Sequence, residues 1–579
     1  MQKTAIYRKS FQISAIILKK LNCYLYVFSN KKLNFFTFAI PKLMKKSTRV
    51  NFLIALAYCV TLIGGMYLGY KLLKDQGFQV EKDIRYANTE NEKVDDIIHI
   101  IKKKYVDDVN ADSLKHLPID SLLHQLDPHS AYLPPTEAFE LSEALEGNFE
   151  GVGVEYYILN DTLLVTNVIK DGPAFLSGVK QGDKILKVDT TVVSGRMLPR
   201  SQMMGRIKGK KGTNVQLTVL HPGNTNPVTL NVKRGRVEVS SIDAAYMMNQ
   251  ETAYIRISKF GATTDNDFAN TIKTLKAKGM KKMVLDLRDN GGGYLTAATS
   301  LANQFLPENK LIVYTQGKHD PRTDYFTTGG GEFEQGKLAV LINENSASAS
   351  EIFAGAIQDL NRGAIIGRRS FGKGLVQEQF AFEDGSALNL TIARYYTPSG
   401  RSIQKSYKKG YKAYQQEIED RLNTGELTAG STKADSLMNN LPYITKDGKK
   451  IFSGGGIQPD IYVKLDTLGY NKFYATLLQK NIFIDFVFET LADRYTSDYL
   501  NRAVSVFNIN DKDYVDFLKY AESKKVVIDT KQLIQAKPLI YKNLKLMLYK
   551  YYLGDNGYYK AHNQSDPMIK QALGYLAVN

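Results

Sequence analysis

Tryptophan is absent from this 579-residue chain, and cysteine occurs only twice, at Cys23 and Cys59. Everything after Cys59 therefore lacks a disulfide, a cysteine metal site and a cysteine nucleophile, and its core must be held by burial alone. Histidine is scarce: seven are spread from His99 to His562, with none between His221 and His319 or between His319 and His562. No cofactor and no metal site is expected. Carboxylates are missing from the start of the chain, where Asp75 is the first, while eleven Lys and Arg fall between Met1 and Arg49. Eleven of the seventeen net positive charges thus precede the first long apolar run. That asymmetry fits the positive-inside rule better than nucleic-acid binding, so no nucleic-acid partner is expected.

Long uncharged apolar runs are also few. Val50 to Tyr70 is one, flanked by Arg49 and Lys71. At 1.5 Å per residue it covers roughly the 30 Å hydrocarbon core, and Gly64, Gly65 and Gly69 are tolerable in a membrane helix. No Ala-x-Ala site follows, so an uncleaved single-pass anchor over 50–70 is expected. The run Phe11 to Phe28 is broken by Lys19-Lys20 and is not read as a second span. Residues 1–49 are read as a basic cytoplasmic extension, within which Met44-Lys45-Lys46 has the form of a bacterial start. The positive flank then leaves the rest of the chain outside the inner membrane, in the periplasm.

What is present divides by pattern. Residues 83–146 read as a helical module that includes LDPHSAYL, Leu126 to Leu133; Asp127-Pro128 is a stop signal there and His129 a turn residue. Residues 147–236 alternate as short strands. GVGV, Gly151 to Val154, precedes DTLLVTNVI and then DGPAFLSGVKQGDKILKVD, an order that resembles a PDZ domain. Gly151, Val152, Gly153 and Val154 would turn successive backbone N–H groups toward one carboxylate, and the strand edge that follows would accept a peptide. Residues 237–465 alternate strand and helix, as an α/β core with parallel strands does. Tyr407 to Asn440 is polar and is read as a surface helix and linker. Residues 466–579 read as a helical domain rich in Tyr, Phe and Lys.

The chemistry converges on one stretch. Leu338 to Ile342 reads as a strand that delivers the chain to Ser346-Ala347-Ser348-Ala349-Ser350. Ile352, Phe353, Ala356, Ile357 and Leu360 then recur at helical spacing, and Ser348 and Glu351 have the form of a capping box. Gly372-Lys373-Gly374 follows. A serine hydroxyl needs a base. Histidine is missing from both glycine-flanked regions, and His319 sits in a loop. A buried lysine loses its proton more readily, and glycine neighbours permit close approach. Gly367 to Lys373 also matches Gly-x4-Gly-Lys, but Gly374 replaces the Ser or Thr that would hold magnesium, and a strand pattern follows instead of a helix.

NENSASASEIFAGAIQD, FGKGLVQ, LNLTIARYYTPSGRSIQ, LDLRDNGGG, LDPHSAYL and GGGIQPDI together resemble the C-terminal processing (tail-specific) peptidases, over about residues 85–465. Gly291 departs from that pattern, standing where the family usually has proline. The resemblance implies an α/β serine-protease core of the ClpP/crotonase-like kind. An inserted or preceding PDZ domain, mainly β, would accompany it; the N-terminal helical module, the C-terminal helical domain, which lies outside these motifs, and one N-terminal transmembrane helix complete the expected fold from the sequence patterns above. It implies Ser348 as nucleophile, Lys373 as general base and Gln377 as the residue that orients the lysine, four positions on and on the same strand face. The oxyanion hole would be the backbone N–H of Ala349 and of Gly292, with Gly293 as the alternative. The implied partners are envelope proteins with apolar C-terminal tails, cleaved through an acyl-enzyme, and an adaptor protein. The competing reading is an inactive PDZ-bearing homologue that serves as a scaffold.

Overall fold

The computed structural model describes residues 90–110, 114, 117–429, 442–445, 447–503 and 506–578. The expected basic extension and membrane span lie outside these residues. Among the described residues no helix is long and apolar enough to cross a membrane. Helix α1 (Glu90–Lys104) and helix α2 (Ile119–Leu126) open the described chain. Ile97, Ile101, Leu122 and Leu123 face inward from them and meet Phe382, Leu388 and Leu390, so the helical module completes its core on strands from far along the chain. Strand β1 (Ala131–Leu133) follows, then helix α3 (Pro135–Glu146), which starts on a proline whose missing N–H costs nothing there. It ends at Gly147, with φ at +67° in the left-handed region.

Strands β2 (Asn148–Gly151), β3 (Val154–Leu159), β4 (Thr162–Val168), β5 (Lys184–Val188), β6 (Thr191–Val192), β7 (Asn214–Leu220), β8 (Val228–Lys233) and β9 (Gly235–Glu238) form a small β-rich unit around helix α4 (Arg200–Ile207). One sheet runs β3-β4-β5-β7-β8, with β6 on β5, while β2 pairs with β9. Alternation places Val154, Leu163, Val165, Val215, Leu217 and Val219 in its interior with Met203 and Ile207 of α4. Strand β3 is an edge of this sheet and pairs only with β4.

The α/β core carries a six-stranded sheet. Its members are β10 (Ile242–Met247), β11 (Thr252–Ile257), β12 (Lys282–Asp286), β15 (Lys337–Ile342), β16 (Ala364–Gly367) and β19 (Ile461–Tyr462), in that spatial order. All neighbours are parallel except β10 and β11. Every residue of β11 is buried, as expected for a strand covered on both faces. Helices α5 (Thr264–Ala277), α6 (Leu295–Asn303) and α7 (Ala349–Asp359) cover one face. A second, antiparallel sheet runs β1, β18 (Ala387–Tyr396), β13 (Leu311–Gln316) and β14 (Thr323–Phe326), with β17 (Leu375–Ala381) also on β18. Helix α8 (Tyr411–Asn423) lies at the surface along most of its length, as its polar sequence suggests, but turns Tyr414 and Arg421 inward, and Glu426 just beyond is buried too. Its polar sequence hides a set of internal ion pairs. The tail adds helices with their own aromatic core, including α9 (Thr530–Asn563), bent where Gly554 adopts φ +62°. The last helix, α10 (Pro567–Ala577), lays Met568, Ile569, Ala572 and Leu576 on the other face of the six-stranded sheet.

Candidate active site

Strands β12 and β15 are parallel neighbours, so the loops leaving their C-terminal ends meet. Hydrogen bonds join these loops at several points. Ser346 Oγ donates to the Leu287 carbonyl at 2.8 Å and Ser350 Oγ to the Asn290 carbonyl at 2.9 Å. The Ala347 N–H donates to the same Asn290 carbonyl at 3.0 Å. The outer two serines of the Ser-Ala-Ser-Ala-Ser run are thus spent on architecture. Ser348 lines a cavity of about 490 Å³ together with Gly292, Gly293, Lys373, Gln377 and Tyr395. Its φ of +55° is in the left-handed region, a strained conformation that costs about 1–3 kcal/mol for a residue with a side chain.

Glu351 does more than cap the helix. Its Oε2 accepts the Ser348 N–H at 2.9 Å and also the Lys373 N–H at 2.9 Å. Its Oε1 accepts the Gly372 N–H at 2.7 Å and the Ser370 hydroxyl at 2.5 Å. A single carboxylate therefore holds the serine turn and the lysine turn together. Burial raises its proton affinity, and these four donors oppose the rise. Gly372 needs its glycine, since φ is +87° and a Cβ would lie 3.1 Å from the Gly456 nitrogen.

Lys373 is partly buried, and burial lowers its pKa from 10.5 against the opposing charges of Asp127 and Glu351. Its Nζ donates to Gln377 Oε1 at 2.7 Å. The pairing does not arise from strand periodicity. Lys373 precedes β17, and a register shift between Val376 and Gln377 re-aims the glutamine. Gln377 Nε2 in turn donates to the His129 carbonyl at 2.5 Å. The His129 ring is neutral, its pKa pushed down to about 3 by burial and by the nearby Lys373 and Lys405 charges. The Tyr395 hydroxyl lies 2.7 Å from the Lys373 carbonyl and 3.0 Å from that of Ser348. No hydrogen bond joins the Ser348 hydroxyl to Lys373 Nζ among the described residues; the two side chains share the cavity.

The expected oxyanion donors divide. The Ala349 N–H, at the first turn of α7, has no acceptor among the described residues. The Gly292 N–H is already bonded to Asn290 Oδ1 at 2.9 Å. This corrects the expectation of a free donor there: Asn290 closes a local turn on that amide. The neighbouring Gly293 N–H makes no hydrogen bond among the described residues. Gly292 is instead required by space, since a Cβ would lie 2.7 Å from Ser348 Cβ. His319, between β13 and β14, does not line the cavity. The Gly-x4-Gly-Lys stretch forms no phosphate cradle, because Arg368 pairs with Glu344 at 2.6 Å and Arg369 with Glu426 at 2.8 Å, all buried.

In the β-rich unit, Gly151 to Val154 stand where β2 gives way to the edge strand β3. Gly153 has φ +81°. The Val152 and Gly153 N–H groups have no acceptor among the described residues, while their carbonyls bind Ala174 and Ile169. The side chains of Val152 and Val154 are buried in the core, so only backbone is on offer from this loop.

The model of peptidase family S41 matches residues 251–411, and that of the PDZ domain matches residues 151–233. A probable CtpA-like serine protease of Staphylococcus saprophyticus subsp. saprophyticus is 32% identical over 333 residues, 56% of this chain and 67% of the relative. One of Staphylococcus aureus (strain MRSA252) is 33% identical over 324 residues, 55% of this chain. The match spans 63% of the length of that second relative, a little under two thirds. Among solved structures, a photosystem II D1 C-terminal processing protease is 25% identical, covering 66% of this chain and 95% of that one at a TM-score of 0.35.

Proposed function

Since this chain belongs to peptidase family S41 and carries a PDZ domain ahead of the peptidase core, we propose that it is a serine endopeptidase of the C-terminal processing kind, working through a Ser348–Lys373 dyad. The observation that carries the reading is the shared Glu351 oxygen, which holds the amides of both residues at 2.9 Å beside one cavity. Neutral Lys373 takes the Ser348 proton as Oγ attacks the scissile carbonyl. The new Oγ–C bond gives a tetrahedral oxyanion, received by the Ala349 N–H and, in place of the bonded Gly292, the Gly293 N–H. The C–N bond then breaks, and the amine leaves with the proton from the lysine. Water hydrolyses the acyl-enzyme by the reverse proton path. Gln377 keeps the amine aimed.

Substrate tails would enter along β3. The free N–H groups of Val152 and Gly153 suit a terminal carboxylate, and the strand edge suits an added strand. Apolar tails fit best, because Leu141, Leu145, Tyr294 and Ile352 line the catalytic cavity. With residues 50–70 as a membrane anchor, the substrates would be envelope proteins on the periplasmic side, delivered directly or by an adaptor. Ser348→Ala should lose cleavage of a test protein bearing an appended apolar C-terminal tail by at least about 10³-fold, with an unchanged melting curve. Cleavage that persists in this variant would remove the nucleophile assignment.

A further inference from the structure

The turn at 127–130 belongs to the helical module, yet it holds Gln377, which lines the catalytic cavity. Asp127 is buried at the C-terminal end of α2. Its Oδ1 accepts the N–H of His129 at 2.8 Å and of Ser130 at 2.9 Å, and its Oδ2 accepts the Ser130 hydroxyl at 2.6 Å. Ser130 Oγ accepts the Thr391 N–H at 3.1 Å, and Thr391 is the cross-strand partner of Gln377. The turn is thereby locked to the strand pair that carries the glutamine. What it presents to Gln377 is a backbone carbonyl, which can only accept. The amide must then give it Nε2, and Oε1 is left for the lysine.

We infer that Asp127 is a positioning residue for the lysine base: it closes the turn whose His129 carbonyl fixes the Gln377 amide, and through that amide it directs the Lys373 amine at Ser348. The inference rests on the Ser348–Lys373 reading above. An amine that donates one N–H to Gln377 Oε1 has its lone pair constrained in direction. Without the carbonyl, the amide can flip and offer Nε2, a donor facing a donor. The groups around Lys373 are Glu351 from α7, Asp127 and neutral His129 from the turn, and Tyr395 from β18; the Tyr414 hydroxyl bonds the His129 ring at 2.7 Å, and the Lys405 amine lies over the Tyr414 ring. Asp127 is thus one of two carboxylates acting on the lysine proton.

The test uses the full chain and the same tailed test protein. Lys373→Ala and Ser348→Ala come first; activity in either would defeat the dyad itself, separately from the role of Asp127. Asp127→Asn keeps an acceptor for the two N–H groups but removes the charge. It should move the acid limb of the kcat/KM profile toward lower pH by about half a unit, since the ammonium loses an attractive charge. Asp127→Ala should lower kcat about 10- to 100-fold with KM little changed. Gln377→Ala should lower it similarly, and the double variant should be no worse than the worse single. A merely structural Asp127 would give losses that multiply with those of Gln377→Ala, and that result overturns the inference, while the acid limb reports only its charge. If Asp127→Ala does not fold, Ser130→Ala, which removes the hydroxyl that ties the turn to Asp127 and to the Thr391 N–H, takes its place, and losses that multiply with those of Gln377→Ala again overturn the inference.

Discussion

Lys373 and Glu351 are shifted in opposite senses by the same cause. Burial disfavours the charged form of each, lowering the lysine and raising the glutamate. For the proposed base, which must be neutral, the lysine shift is useful: activity should rise with pH through its depressed pKa and fall away below it. Lys373→Arg, which keeps a cation that cannot be deprotonated, should be inactive by at least about 10³-fold at every pH where the fold survives. Measurable recovery of that variant at high pH would show that Lys373 is not the base. Stability follows with a definite sign. The unfolded lysine titrates near 10.5, above the folded value, so the unfolded chain binds more protons between the two. Stability therefore rises with pH across that window, and Lys373→Met should flatten the dependence in chemical denaturation.

Single elements carry the next level of the design, and two of them behave differently from what their local pattern suggests. Lys373 lies ahead of β17, so strand alternation does not pair it with Gln377; the register shift between Val376 and Gln377 aims that side chain instead. Helix α8 is exposed over most of its length, as its polar sequence suggests, yet it turns Arg421 in against Glu426 and sets Glu417 against Lys405 at 3.1 Å under the lysine turn. A charge pattern on one helix does not reveal that its partners come from another. The β2–β3 junction depends on Gly153, whose φ of +81° and whose neighbours Val237 and Pro173, at 3.3 and 3.4 Å from an ideal Cβ, leave little room. Gly153→Val should shift the loop and re-aim the Val152 and Gly153 N–H groups. Affinity for an apolar peptide with a free C-terminal carboxylate should drop by about tenfold or more, equivalent to roughly 1.4 kcal/mol, as read by fluorescence anisotropy. Unchanged affinity would place the carboxylate elsewhere.

The whole molecule is knit so that the tail is part of the peptidase core. Arg288, two residues before Asn290 of the glycine loop, bonds Asp286 and reaches Asp566 at 2.5 Å, just ahead of α10. The side chains of α10 cover Val284, Ala339, Leu341 and Ile366 on the sheet. On another side of the tail, the Asp485 carboxylate accepts the Tyr157 hydroxyl at 2.8 Å, tying the tail to the β-rich unit as well. Removing residues 466–579 would strip Met568, Ile569 and Leu576 from that face, each contributing about 1.5–3 kcal/mol of burial, and leave Arg288 short of a partner. The shortened chain should be insoluble or lose its near-ultraviolet circular dichroism. A soluble, cooperatively unfolding 90–465 fragment would refute this view of the tail.

Much of the plan was readable along the chain, because it depends on neighbours. Alternating apolar residues mark the strands of the β-rich unit, helical spacing after Ser348 marks α7, and glycines bracket the lysine. Residue chemistry points to Lys373 as the proposed base, since no histidine falls between His319 and His562 in the sequence. What could not be read depends on groups far apart in sequence. Among three equivalent serines, only the hydrogen bonds to Leu287 and Asn290 leave Ser348 as the one facing the cavity. Glu351 looks like a helix cap until the Lys373 turn folds onto it. The bond that occupies the Gly292 N–H, and with it the candidacy of Gly293, depends on how Asn290 turns. The contact from His129 leaves no mark at all, because it is made by a backbone carbonyl, which every residue carries, and only packing decides where it points.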